Sequence, residues 1–158
     1  EKGRRPMLFW EDFHEGHVAT SGRYVVGREE IVAFARDYDP APIHLDDAAA
    51  EATPLGGLSA SGWHICAIFM RLLADGLLVK ADSMGSPGVD EARFLRPVHP
   101  GAVLRLRRAV LETRDSRSRP EMGLVKFRFE LLDATDSIVF DLVAFIMFGR
   151  RNPGARLA

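Results

Sequence analysis

Over residues 88–149 polar and apolar side chains alternate with a period of two. Leu104 and Leu106 alternate with Arg105 and Arg107, and Val125, Phe127, Phe129 and Leu131 with Lys126, Arg128 and Glu130. This is the pattern of strands with one buried face. Ile138 to Phe148 is apolar at nearly every position except Asp141, which predicts a central strand covered on both faces. Breaks at Pro97–Gly101, Arg117–Pro120 and Asp133–Ser137 predict antiparallel hairpin connections.

The pattern differs upstream. Val18 to Val26 has the β-branched and aromatic content of a strand, and Gly27 ends it. Arg28-Glu29-Glu30 then opens a helix with Ile31, Phe34 and Ala35 at helical spacing. Pro40 and Pro42 disfavour helix at the residues before them, so this helix stops near Tyr38 and residues 39–43 are stiff and extended. Asp46 or Asp47 caps a short helix through Ala48–Ala52. Gly56-Gly57 breaks the chain, Ser59 and Ser61 offer caps, and a longer helix runs from Gly62 to about Leu78. Its polar residues His64, Arg71 and Asp75 fall on one narrow stripe at about 100° per residue. Trp63, Ile65, Ile68, Phe69, Leu72, Leu73 and Leu77 make the rest apolar, the mark of a helix wrapped on several sides. The sum is an α+β arrangement, a curved antiparallel sheet around one long helix.

The 158 residues read as one domain, 1–158, with its core at about residues 9–149 and a frayed tail over 150–158. Lys and Arg number 21 against 22 Asp and Glu, a balance that argues against a nucleic-acid or anionic-membrane coat. The stretch from Trp63 to Val79 is short and charged for a membrane span, and the basic N-terminus lacks a following apolar run, so a cytoplasmic protein is expected. Cys66 is the single cysteine, which excludes an internal disulfide and a cysteine-based zinc site; within its apolar run it reads as a small core residue.

Phosphate loops, dinucleotide fingerprints and a nucleophile elbow are absent. His14, His17, His44, His64 and His99 are scattered without a ligand pair, so no metal and no cofactor is expected. What remains is Asp39-Pro40-Ala41-Pro42-Ile43-His44-Leu45-Asp46. Two prolines brace an acid and an imidazole that could contact one water and relay a proton. By spacing alone, the plainer reading is a turn-capping Asp39 and an ordinary loop His44.

The segment from Phe34 to Asp46 resembles the signature of the MaoC-like dehydratases and (R)-specific enoyl-CoA hydratases, with Asp39, Pro42, Ile43, His44 and Asp46 in register. The likeness continues in Phe9-Trp10-Glu11-Asp12-Phe13-His14-Glu15-Gly16, in Ser61-Gly62-Trp63-His64 and in Phe94-Leu95-Arg96-Pro97-Val98-His99-Pro100-Gly101, and so spans about residues 9–149. The resemblance implies a hot-dog fold. It implies that Asp39 and His44 activate water for addition to a trans-2-enoyl thioester, or remove it in reverse. It also implies that the Gly62 amide, at the positive end of the long helix, donates to the thioester carbonyl. Ser61, Trp63 and His64 flank that amide as substrate-binding candidates, although His64 equally fits the polar stripe and Trp63 a packing role. Trp10 and Phe13 read as packing residues.

One departure stands out. The family's usual Asn before Pro42 is Ala41 here, and Pro40 adds rigidity. Two alternatives stay open: a hot-dog thioesterase, although the first acidic residue after Gly62 is Asp75, and a non-catalytic acyl-binding module, which Ala41 keeps in play. Eight arginines between Arg93 and Arg119 could meet the phosphates of coenzyme A or form a solvated sheet face. The expected partners are an acyl-CoA or acyl-carrier-protein thioester and a second copy of the chain, because exposed sheet edges and strands as apolar as Ile138–Phe148 favour a homodimer.

Overall fold

A computed structural model describes residues 7–153; the expectations for residues 1–6 and 154–158 lie outside it. In chain order the elements are β1 (Val18–Val25), α1 (Arg28–Tyr38), α2 (Asp47–Glu51), α3 (Gly62–Gly76), β2 (Val89–Phe94), β3 (Val103–Asp115), β4 (Met122–Leu132) and β5 (Ile138–Gly149). The strands form one sheet in the order β1-β3-β4-β5-β2, with every neighbouring pair antiparallel. The sheet curls around α3, which buries Ile65, Ile68, Phe69, Leu72 and Leu73 in its concave face. Phe69 packs on Phe129 and Phe140 with ring centres 5.0 and 5.7 Å away. The architecture expected from the hydrophobic pattern is the one that forms.

Three expectations change. β5 is not central: β4 is, and β5 lies one strand from the edge, between β4 and β2. Its near-uniform apolarity follows from an inner face in the core and an outer face that is partly covered. Arg114 and Lys126 lie over the Phe145 ring there, 4.8 and 5.5 Å from its centre. The break at Pro97–Gly101 does not turn a hairpin, because β2 pairs with β5 while β3 pairs with β1 and β4. This connection is tacked down along its length: Val98 carbonyl accepts from the Ala60 amide, and the Gly101 amide donates to Val26 carbonyl. The breaks after β3 and β4 do make hairpins.

The third change concerns the tail, which is not frayed at its start. Arg150 is buried against the Trp10 ring, 5.0 Å from its centre, and its amide donates to Glu121 carbonyl at 2.9 Å. The Arg151 guanidinium binds Asp12 at 2.6 Å, and the Arg151 and Asn152 amides bind the Glu11 carboxylate. Trp10 and Phe13 pack as read, Trp10 donating its indole N–H to Leu124 carbonyl and Phe13 lying against Phe127 and Phe148. By length and composition the stretch Gly62–Lys80 matches a membrane span, with a mean hydropathy of 1.5. In the fold this stretch is α3 and the short turn Leu78–Lys80 that follows it.

Candidate active site at the N-terminal end of α3

Three segments converge where α3 begins. The first is the end of α1. The Asp39 amide closes the last turn onto Ala35 carbonyl at 2.9 Å, and Pro40 prevents continuation. The second is the proline-braced loop. Ala41 is extended at φ −70° and ψ 137°, but Pro42 then opens a single 3₁₀ turn, Pro42–His44, so the extended run ends earlier than expected. That turn carries the His44 ring inward, leaving the residue 8% exposed. Asp46 then caps α2 by accepting from the Ala49 amide at 2.8 Å.

The third segment is a buried strap from Leu58 to Ser61, pinned to Val98 through the Ala60 amide. Ser59 is buried and contributes its backbone. Its carbonyl stands 2.6 Å from His44 Nδ1. A carbonyl can only accept, so Nδ1 donates to it and Nε2 is turned toward Asp39. That Nε2 lies 3.4 Å from Asp39 Oδ2, with the carboxylate about a third open to solvent. Ser61 donates its hydroxyl proton to the same Oδ2 at 2.7 Å and accepts from the Trp63 amide at 3.3 Å. A relay of aligned dipoles therefore runs from the first turn of α3 through Ser61 to Asp39.

Gly62 is the first residue of α3, and among the described residues no acceptor is placed at its amide. Its missing Cβ lets the tip of the Phe94 ring rest on the start of the helix: a Cβ at this position would lie 2.8 Å from Phe94 Cζ and 3.0 Å from both Cε atoms. The structure thus brings Asp39, His44, Ser61 and Gly62 together. A carboxylate, an imidazole nitrogen and a helix-terminal amide in neighbouring positions can activate a water and stabilise a developing oxyanion.

The other two candidates have different surroundings. Trp63 is 73% exposed and lines an apolar groove of about 620 Å³ beside α3. Cys66, Met70 and Leu73 continue that wall, Leu142, Ala144 and Ile146 of β5 form its floor, and Val89 and Ala92 of β2 its far side. Cys66 is therefore half-buried in a groove wall, where burial pushes its thiol pKa up. His64 is on neither the groove nor the pair. It is buried under Phe34 of α1, with rings stacked at 4.8 Å and 11°, and its Nδ1 has no partner among the described residues. Burial lowers its pKa, against a smaller upward pull from Glu30.

The arginine-rich run is dispersed. Arg93 pairs with Glu91, Arg105 with Asp136 and Arg107 with Glu130, while Arg108 turns inward beside Gly76 at the C-terminal end of α3. Among the described residues no group of His, Cys, Asp or Glu is placed to hold a metal ion. Two contributors escaped the reading of the sequence: the Ser59 carbonyl, which is backbone and leaves no sequence signal, and Phe94, whose contact with Gly62 depends on sheet register.

Residues 11–126 match the family model described as MaoC like domain. The MaoC-like dehydratase from Rhodospirillum rubrum is 36% identical, with 92% of this chain and 99% of that one covered and a TM-score of 0.84. The R-hydratase PhaJ1 from Pseudomonas aeruginosa is 23% identical over 96% of this chain and 94% of that one, with a TM-score of 0.72. The uncharacterized protein YdeM of Bacillus subtilis (strain 168) is 24% identical over 131 residues, 83% of this chain and 92% of that protein. The sheet wrapped around α3 is the hot-dog fold, and with the family match spanning most of its length, the chain belongs to the MaoC-like domain family.

Proposed function

We propose that this protein is a hydro-lyase of acyl thioesters, adding water to a trans-2-enoyl-CoA or acyl-carrier-protein ester, or removing it from the (R)-3-hydroxyacyl form. The observation that carries the reading is the oriented pair: Asp39 Oδ2 and His44 Nε2 at 3.4 Å, each fixed from the strap by its own partner. A water seated beside both atoms gives up a proton to Nε2 as its oxygen adds to C3 of the enoyl group. The thioester oxygen takes up the negative charge at the Gly62 amide, and the proton returns to C2. Dehydration is the same path reversed. Removing one such oxyanion donor generally costs about 10²–10³ in rate. The acyl chain lies in the apolar groove beside α3.

The thioesterase reading needs a carboxylate early on α3. Asp75 is instead near the far end of the helix, exposed and paired with Arg71 at 2.8 Å. A second copy completes the particle in this reading. All six residues of the edge strand β2 are exposed, Val89 and Phe94 among them, and Trp63 and Met70 of α3 are exposed as well.

The test is the loss of conjugated enoyl-thioester absorbance with purified protein. Asp39→Asn and His44→Gln should each lower kcat/KM by about 10²–10⁴ while the melting curve stays near that of the wild type. Wild-type rates in both variants would remove the mechanism. Thiol release without loss of the enoyl chromophore would replace it with thioester hydrolysis.

A further inference from the structure

Asp39 and His44 take their aim from the strap, and the strap takes its own from the connection between β2 and β3. The Ser59 carbonyl and the Ala60 amide belong to one peptide plane, and in a trans peptide they point in opposite directions. The amide donates to Val98 carbonyl at 2.9 Å, while the carbonyl accepts from His44 Nδ1 at 2.6 Å. This plane therefore spans from Val98 to the His44 ring. The plane before it is held by the next residue of the same connection. Leu58 carbonyl stands 2.9 Å from His99 Nδ1, which donates to it. Two consecutive peptide planes of the strap are thus set by two consecutive residues, Val98 through its backbone and His99 through its ring.

The two ends of the strap differ in stiffness. It is entered through Gly56 and Gly57, at φ of 70° and 136°, where an added Cβ would meet nothing within 4 Å. A glycine pair in open space leaves its torsions soft. The buried Leu58 side chain fixes where the strap enters the core, but not the rotation of the peptide plane that follows it. The connection, by contrast, is rigid. Pro97 and Pro100 bracket Val98 and His99, Val98 is buried, and the Gly101 amide donates to Val26 carbonyl at 2.7 Å. All of these bonds are made within one chain. A single bond to Val98 would leave the strap free to turn about it; the bond from His99 removes that freedom.

We propose that His99 is a positioning residue for His44, acting through the peptide planes of Leu58 and Ser59. With its donor in place, the Ser59 carbonyl is held in line with His44 Nδ1, and Nε2 of the same ring is turned toward Asp39. Without it the plane after Leu58 rotates, the torsions of Ser59 readjust, and the His44 ring loses its fixed direction. The kinetic consequence rests on the hydro-lyase reading; the effect on the His44 ring does not, because it needs no turnover.

The experiment uses the full chain with two variants, after a melting curve has shown each to be folded. His99→Leu removes the donor, whereas His99→Asn carries an amide N–H on the same Cγ that bears Nδ1 in the imidazole. The Nδ1 proton of His44 is followed by NMR without substrate, its signal assigned by its absence in His44→Gln. The constants kcat and KM on a trans-2-enoyl-CoA are read by absorbance. His99→Leu should move or broaden the His44 signal and lower kcat about tenfold, with KM changed by less than about twofold. His99→Asn should restore the wild-type signal and most of the rate. If His99→Leu does not fold, His99→Gln, whose amide stands one bond further out, takes its place with a loss in the same direction. An unchanged His44 signal in the variant lacking the donor overturns the proposal. So does an equal loss in His99→Asn, which would reduce the ring to packing. If the wild type hydrates no enoyl ester, the hydro-lyase reading fails while the His44 signal still decides the part played by His99.

Discussion

Asp39 and His44 owe their orientation to a division of labour between side chains and backbone. Two prolines confine the backbone on either side of Ala41, but they do not aim the two functional groups. Aim comes from the strap: the Ser59 carbonyl orients the imidazole, and the Ser61 hydroxyl holds the carboxylate. This bears on Ala41, where the family pattern carries an amide. Ala41 gives the pair only its carbonyl, which accepts from the His44 amide, and ordering is supplied from the opposite side of the site. Ser61 is then a positioning residue with two jobs. Ser61→Ala should cost about 1 kcal/mol of stability through the lost cap. It should also lower kcat about ten- to a hundredfold with little change in KM, since a hydrogen bond to a charged group is lost. A fall in stability with kcat intact would confine Ser61 to capping.

At the scale of elements, α3 shows how one stripe can have two fates. His64, Arg71 and Asp75 share a helix face, yet Arg71 and Asp75 form an exposed ion pair while α1 covers His64 with Phe34. Helical spacing places residues on a face; it does not say which part of that face a neighbour will cover. The burial has a consequence in pH. The folded state holds His64 below its ordinary pKa of about 6.5, so the unfolded chain binds this proton more readily. Above that pH both states are neutral and nothing is lost. Below it the folded state loses stability, at no more than about 1.4 kcal/mol per pH unit for one proton. His64→Phe, which keeps the stack on Phe34, removes this slope. Its melting temperature relative to wild type should rise on going from about pH 8 to about pH 5. A constant offset across that range would show that His64 is not buried as a neutral ring.

At the scale of the molecule, light scattering at micromolar concentration should return twice the chain mass, because β2 is an open edge flanked by exposed Trp63, Met70 and Val89. A monomer would mean that this apolar surface is left to the acyl ligand alone. Spacing along the chain was enough to place the strands, the core helix and its serine cap, the proline-braced acid and imidazole, and the family they signal. These are properties of spacing and local backbone stereochemistry, which a short window of residues carries. Strand order, the crossing of the Pro97–Gly101 connection, the burial of His64 and Arg150, and the seating of Phe94 on Gly62 were decided only by tertiary structure. Each depends on which distant segment arrives beside a residue, and no periodicity encodes that. Ser59 is the limiting case, because the carbonyl that orients the His44 ring belongs to the backbone every residue shares.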